Sequence, residues 1–242
     1  MFEDYSTETL LTGFNLQGPF SFAEHNNIVY FSSLTLIGFI EEGKSYSFPD
    51  PNQTFKTRMV GGHLLEAWNN RLFAAQSNKI FFSDANALTR MDKRKNYMQF
   101  NGYIGMMKGI TGGMYVNAGK FIYWLGGDDV NDFSLTAVND TGMIQGSDIK
   151  VEGEDIGQGL LGTVVMWASE DGIYMGLPGG QIKNLTRGNY AIEDLDKSSA
   201  IYRDDLGFGQ YLMTGEFHEG TGGGQLSVDL PMVAVEFHGG SV

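Results

Sequence analysis

Apolar residues along the chain come in short runs of four to seven, fenced by Asn-Asn, Gly-Gly, Ser-Asn or Ser-Asp. The same arrangement returns along most of its length. HNNIVYFSS leads to TLIGFI, WNNRLFAAQSN to KIFFSD, TGGMYVNAG to KFIYWLGG, and SEDGIYMGLPGG to QIKNLT; DDLGFGQYLMTGEF is a weaker fifth copy. Runs of this length, rich in β-branched and aromatic residues and bounded by turn formers, predict strands joined by tight hairpins. GTVVMWAS and SVDLPMVAVEF read as strands for the same reason. Helical patterning is sparse. The segment from Asp84 to Met98 predicts a loop with a short helical turn, capped by Asp84 or Asn86.

Aligning Tyr30, Phe73, Tyr115, Tyr174 and Tyr211 as equivalent gives steps of 43, 42, 59 and 37 residues. A period of about 40 to 50 suits a four-stranded antiparallel blade, and radial repetition of blades leaves only short, protected edges. The expected fold is therefore all-β, a β-propeller of about five antiparallel blades, with a β-sandwich as the alternative. Residues 1–242 are expected to form a single domain. The long step places an inter-blade insertion at residues 140–159, and SVDLPMVAVEF is expected to close the circle by pairing near FNLQGPFSF.

Composition agrees with this picture: glycine occupies 34 positions and proline only 5, as befits aromatic strands between glycine turns. With no cysteine, a disulfide framework and thiolate metal sites are excluded. No apolar run reaches the ~18 residues of a membrane helix, and the amino terminus lacks a basic region followed by an apolar stretch, so no membrane segment is expected. Three sequons, at Asn52, Asn139 and Asn184, are then expected to go unglycosylated.

Charge changes the functional reading. Net charge is -13, and it is uneven: residues 1–125 carry +1 and residues 126–242 carry -14. An acidic surface repels nucleic-acid phosphates, which argues against specific DNA binding. The compact basic cluster Arg90, Lys93, Arg94 and Lys95 reads as an ordinary solvated face.

Catalytic signatures are missing. GQGLLG matches a dinucleotide glycine pattern, but a strand follows it where a helix is required. His25, His63, His218 and His238 stand in no zinc-binding spacing. Adjacent acids at Asp128/Asp129, Glu154/Asp155 and Asp204/Asp205, and Asp194 with Asp196, read as solvated turns more readily than as the facing carboxylates of a glycosidase. GGDDVND offers oxygen ligands without calcium-loop spacing, and SEDGIYMG departs from an aspartate box. No cofactor, metal site or catalytic residue is expected, and no enzyme activity.

The run GGHLLEAWNNRLFAAQSNKIFFSDAN, followed by YVNAGKFIYWLGG and VVMWASEDGIYMGLPGGQIKNLT, resembles the propeller portion of bacteriophage tail nozzle and tail hub proteins. The resemblance covers roughly residues 20–215; the additional β-barrel of longer nozzle proteins has no counterpart here. It implies a virion structural protein, located in the phage tail as nozzle, hub or neck adaptor subunit. Its partners would be copies of itself in a ring, other tail and neck proteins, and genomic DNA passing without specific binding. A conduit for a polyanion favours carboxylates over lysines, so Asp128, Asp129, Glu152, Glu154, Asp155, Asp204 and Asp205 are the candidate residues lining the DNA path. The alternative is a carbohydrate-binding or carbohydrate-cleaving propeller, such as a receptor-binding module, with Trp68, Tyr103, Tyr123, Trp124 and Trp167 as sugar-stacking candidates.

Overall fold

A computed structural model of the chain describes residues 20–156, 160–186, 195–205, 208–217 and 233–237. The chain divides into two compact units, Met1–Gln99 and Phe100–Val242. Both are built from antiparallel sheets whose strands follow one another in sequence, and the all-β reading holds.

The first unit opens with β1 (Ser21–His25), β2 (Ile28–Ser32), β3 (Ile37–Glu41) and β4 (Lys44–Ser47), hydrogen-bonded in that order. After β5 (Thr57–Arg58) come β6 (Leu64–Trp68), β7 (Arg71–Gln76) and β8 (Lys79–Phe82); β9 (Arg90–Met91) and β10 (Tyr97–Gln99) follow. Strands β6, β7, β8 and β10 form the second sheet, while β5 and β9 pair as a separate ribbon. The first hairpin of each sheet turns on two asparagines with positive φ, Asn26 and Asn27 (53° and 61°) and Asn69 and Asn70 (44° and 55°). That is the backbone a two-residue hairpin needs, and asparagine adopts it more readily than most side chains. Tyr30 from the first sheet and Phe48, just after β4, pack against Leu65, Leu72 and Ala74 of the second, with Met59 and Met91 of the ribbon segment.

The stretch from Asp84 to Met98 is a loop with one helical turn, but the turn starts at Asp92, where Asn96 N donates to Asp92 O at 2.8 Å, and not at Asp84 or Asn86. An isolated bridge between Asp84 and Ala87, β9, and a turn at Asp92–Asn96 occupy that stretch. The local capping signal yields to the pairing of Thr57 with Met91 and Arg58 with Arg90, which buries Met91 completely.

The second unit continues with β11 (Ile104–Ile110), β12 (Gly113–Ala118), β13 (Phe121–Gly126) and β14 (Ser134–Asn139), one sheet in chain order. Next come β15 (Ile149–Glu152), a short helix α1 (Gly153–Ile156), β16 (Thr163–Ser169), β17 (Gly172–Gly176) and β18 (Ile182–Asn184), whose strands form another. β19 (Leu195–Asp205), β20 (Phe208–Phe217) and β21 (Val233–Phe237) make a three-stranded sheet. Alternation along β16 assigns its two faces: Val164, Met166 and Ala168 pack toward Tyr211 and Met213, whereas Val165 and Trp167 pack toward Tyr115 and Trp124. The sheet of β16 is thus covered on both sides, which is why TVVMWAS reads as a continuous apolar run.

One expectation shifts. Within residues 140–159, β15 belongs to the β15–β18 sheet and α1 follows it, so part of the segment read as an insertion is sheet. The carboxy-terminal strand β21 takes β20 as its neighbour, Val235 opposite Tyr211. Most of FNLQGPFSF, the expected partner, lies outside the described residues.

Candidate functional site

The candidate acids sit in turns of the second unit, and the contacts between its sheets decide whether those turns meet. Tyr115, just after the β11–β12 turn, donates its hydroxyl toward Leu177 O (2.7 Å) and Gln181 O (2.8 Å), which bound the β17–β18 connection. A Cβ on Gly162, just before β16, would lie 3.8 Å from Thr111 Oγ1 in the β11–β12 turn. Tyr202, near the end of β19, donates to Asp155 O at 3.0 Å. The turns after the first and third strands of the two four-stranded sheets and the closing residues of β19 therefore lie at one end of the unit. Asp128 and Asp129 lie between β13 and β14, Glu152 closes β15, Glu154 and Asp155 lie between β15 and β16, and Asp204 and Asp205 stand at the close of β19.

Asp128, Glu152, Glu154 and Asp155 are exposed and Asp129 is half-exposed; for Asp204 and Asp205 the backbone alone is described. Asp129 Oδ1 accepts from the Asn131 backbone N (3.0 Å) and side-chain Nδ2 (2.5 Å), an Asx-type turn. Both Glu152 oxygens accept from Thr163 Oγ1, at 3.1 and 3.2 Å. Asp132 adds to the group. Lys183 and Arg203 stand near the same end, so it is acid-rich without being uniformly acidic.

The basic cluster of the first unit is internally neutralised in large part. Arg94 forks onto Asp92 through Nε (2.9 Å) and Nη2 (2.7 Å), and its guanidinium lies 3.9 Å from the centre of the Phe55 ring. The fork holds the Asp92 carboxyl well below the usual carboxylate range, against a smaller opposing effect of burial. Asp84 takes Lys56 at 2.6 Å and Arg90 at 3.6 Å.

Other candidates resolve into structure. Trp124 and Trp167 are core residues, at 6% and 0% exposure, with Tyr115 between them at ring separations of 4.7 and 5.7 Å. Their faces are unavailable to a sugar. Tyr103 is exposed, and Trp68 and Tyr123 are half-buried. Asp171, in the SEDG turn, accepts from Tyr174 Oη at 2.5 Å. Asn139 and Asn184 each accept from the backbone N and hydroxyl of the threonine two residues on, at 2.8 to 3.0 Å, so these Asn-x-Thr triplets serve as turns that end β14 and β18. His63 is buried, while His218, His238 and Asp194 lie outside the described residues, as do Gly157–Gly159 of GQGLLG. Among the described residues no group of three His, Asp or Glu side chains is placed to hold a metal ion, and no helix is long and apolar enough to cross a membrane.

Sequence reasoning missed one charged pair. Lys108 on β11 meets Asp148, just before β15, at 3.1 Å, with the carboxylate 10% exposed. Burial pushes the Asp148 carboxyl up, and Lys108 opposes that shift. Forty residues separate the two, and no local pattern announces their contact.

No family model matches the chain, and no curated protein matches it. Solved structures do. The extracellular domain of the one component system BT4673 from B. thetaiotaomicron aligns over 87% of this chain and 27% of its own, with TM-score 0.53 and 15% identity. A chain from the S. cerevisiae complex of dbp5 with nup159, gle1, ip6 and adp aligns over 95% of this chain and 62% of its own, with TM-score 0.51 and 11% identity. The chain thus spans about a quarter of the first of these and under two thirds of the second. At such identities the likeness concerns fold alone.

Proposed function

We propose that the chain is a β-propeller module with a structural, non-enzymatic role in a bacteriophage tail, as a nozzle, hub or neck adaptor subunit of a ring around the DNA exit path. The propeller reading is supported by consecutive four-stranded meanders in chain order and by a sheet buried on both faces. A sandwich would need strands that leave one sheet for another, as in Greek-key connections. The observation that carries the functional reading is the gathering of acid-bearing turns from three sheets at one end of the second unit. Such an end repels a passing polyanion and offers few sites where phosphate contacts would release counterions. The burial of Trp124 and Trp167 counts against the sugar-binding alternative.

The test is assembly. Native mass spectrometry and electron microscopy of the chain, alone and bound to tail particles, should reveal a closed ring with its acid-rich end facing the channel. Particles in which the chain sits as a peripheral monomer, away from the DNA path, would overturn the proposal.

A further inference from the structure

The first unit contains a cavity of about 400 Å³, within the size range of small-molecule sites. The cavity is bordered by the β2–β3 turn, the segment after β5, the end of β7 and the β9–β10 turn. Its walls are fixed by backbone. Gly61 packs so closely on the β2–β3 turn that a Cβ there would lie 2.4 Å from Ser33 O and 2.7 Å from Leu36 O. Gln76 Nε2 donates to Gly61 O at 2.5 Å, and the neighbouring Gly62 N donates to Ser32 Oγ at 2.6 Å.

The lining divides by chemistry. Leu34, Ile37 and Val60 present apolar surface, and Leu34 is 45% exposed. Arg58 and Lys93 bring two positive charges to the same cavity. Asp84 and Asp92 satisfy Lys56, Arg90 and Arg94 and leave these two cations aside. Among the described residues Arg58 reaches only Asp50, at 3.7 Å, where both side chains are well exposed, at 60% and 85%; an ion pair of that kind contributes little. Lys93 is exposed and has no ion pair or hydrogen bond among the described residues. Weakly compensated positive charge in a mixed lining that includes Leu34, Ile37 and Val60 selects a ligand with an anionic head and a short apolar body.

We propose that this cavity binds a small organic anion, its carboxylate or phosphate group held between Arg58 and Lys93 and its apolar part laid against Leu34, Ile37 and Val60. This assignment is independent of the tail reading. Hexanoate, hexyl phosphate, inorganic phosphate and hexanol are titrated into the full chain by NMR and calorimetry. Saturable binding of hexanoate or hexyl phosphate, at least tenfold tighter than hexanol or inorganic phosphate, is the expected result, and the tighter of the two names the head group. Binding should weaken at least tenfold in the Arg58→Gln/Lys93→Gln variant and be largely retained in Arg58→Lys. Val60→Trp, which fills the cavity and leaves the cations in place, should abolish it. Absence of saturable binding, equal binding of hexanol, or undiminished affinity in the double glutamine variant at an unchanged unfolding midpoint would overturn the proposal.

Discussion

Tyr115 and Tyr211 place phenol groups where water is scarce, each donating to backbone carbonyls: Tyr115 to Leu177 and Gln181, Tyr211 to Ser147 at 2.6 Å. Burial pushes both phenols above the ordinary value of about 10. A raised pKa in the folded state leaves stability intact below the unfolded value and removes it as pH climbs from there through the folded value. Spectrophotometric titration should therefore show Tyr115 and Tyr211 among the tyrosines that stay protonated above pH ~10, ionising together with alkaline unfolding. Tyr211→Phe should remove one of them from that step. Phe73 is fully buried against Trp68 and Phe82. Phe73→Ala should cost about 3 to 5 kcal/mol, measured as a fall in the urea midpoint of the transition that includes the first unit. The aromatic repeat made these positions visible, because Tyr30, Phe73, Tyr115, Tyr174 and Tyr211 all are buried at 8% exposure or less. Asp148 and Lys108 were invisible for the converse reason: their pairing depends on which strands become neighbours.

Hairpins were easier to read than the sheets they belong to. Asn-Asn turns and the apolar runs around them located β2, β3, β7, β8, β12 and β13, since turn chemistry and strand pattern are local. Phase was harder. In the first three copies the matched hairpin joins the second and third strands of a sheet, but SEDGIYMGLPGG and QIKNLT are the third and fourth, β17 and β18. Trp167 on β16 is the residue in second-strand position, and the long step of 59 residues arises partly from this slip. The turn between β16 and β17 carries the same kind of polar punctuation as its neighbours, so local pattern cannot say which hairpin comes first. Close sheet stacking has its own signature at Gly176, the last residue of β17. A Cβ there would meet the Tyr115 ring at 2.7 Å and the Trp167 ring at 2.9 Å, and both rings are fully buried. Gly176→Ala should therefore destabilise the second unit by about 1 to 3 kcal/mol through overpacking. Gly112→Ala, where nothing lies within 4 Å but φ is +79°, should cost only its backbone strain of about 1 kcal/mol. Equal midpoints for Gly176→Ala and the parent chain would refute the packing of β12 against β17.

At the scale of the whole molecule, composition disclosed an acid-rich second half, but its spatial meaning required strand order. Asp128 and Glu152 are 24 positions apart and stand at one end of the unit only because one follows and the other closes an odd-numbered strand of its sheet. Exposed acids stand at the opposite end as well, Asp140 after β14 and Glu170 and Asp171 between β16 and β17, and solubility accounts for carboxylates at both ends; a role in DNA passage depends on this end. Changing Asp128, Asp129, Glu152, Glu154 and Asp155 together to lysine separates the two, since these side chains are exposed or half-exposed and none holds the core. Each new phosphate contact should steepen the dependence of log affinity on log salt by about 0.9. The isolated variant should then bind duplex DNA in a fluorescence anisotropy titration at low salt, where the parent chain does not. Tail particles carrying it should eject their genome slowly at low ionic strength and recover toward the normal rate as salt rises, because screening restores what the carboxylates provided. Slow ejection that ignores salt would instead indicate a damaged assembly. A variant that binds DNA in isolation yet ejects at the normal rate throughout would place this end away from the DNA path and return the acids to an ordinary solvated surface.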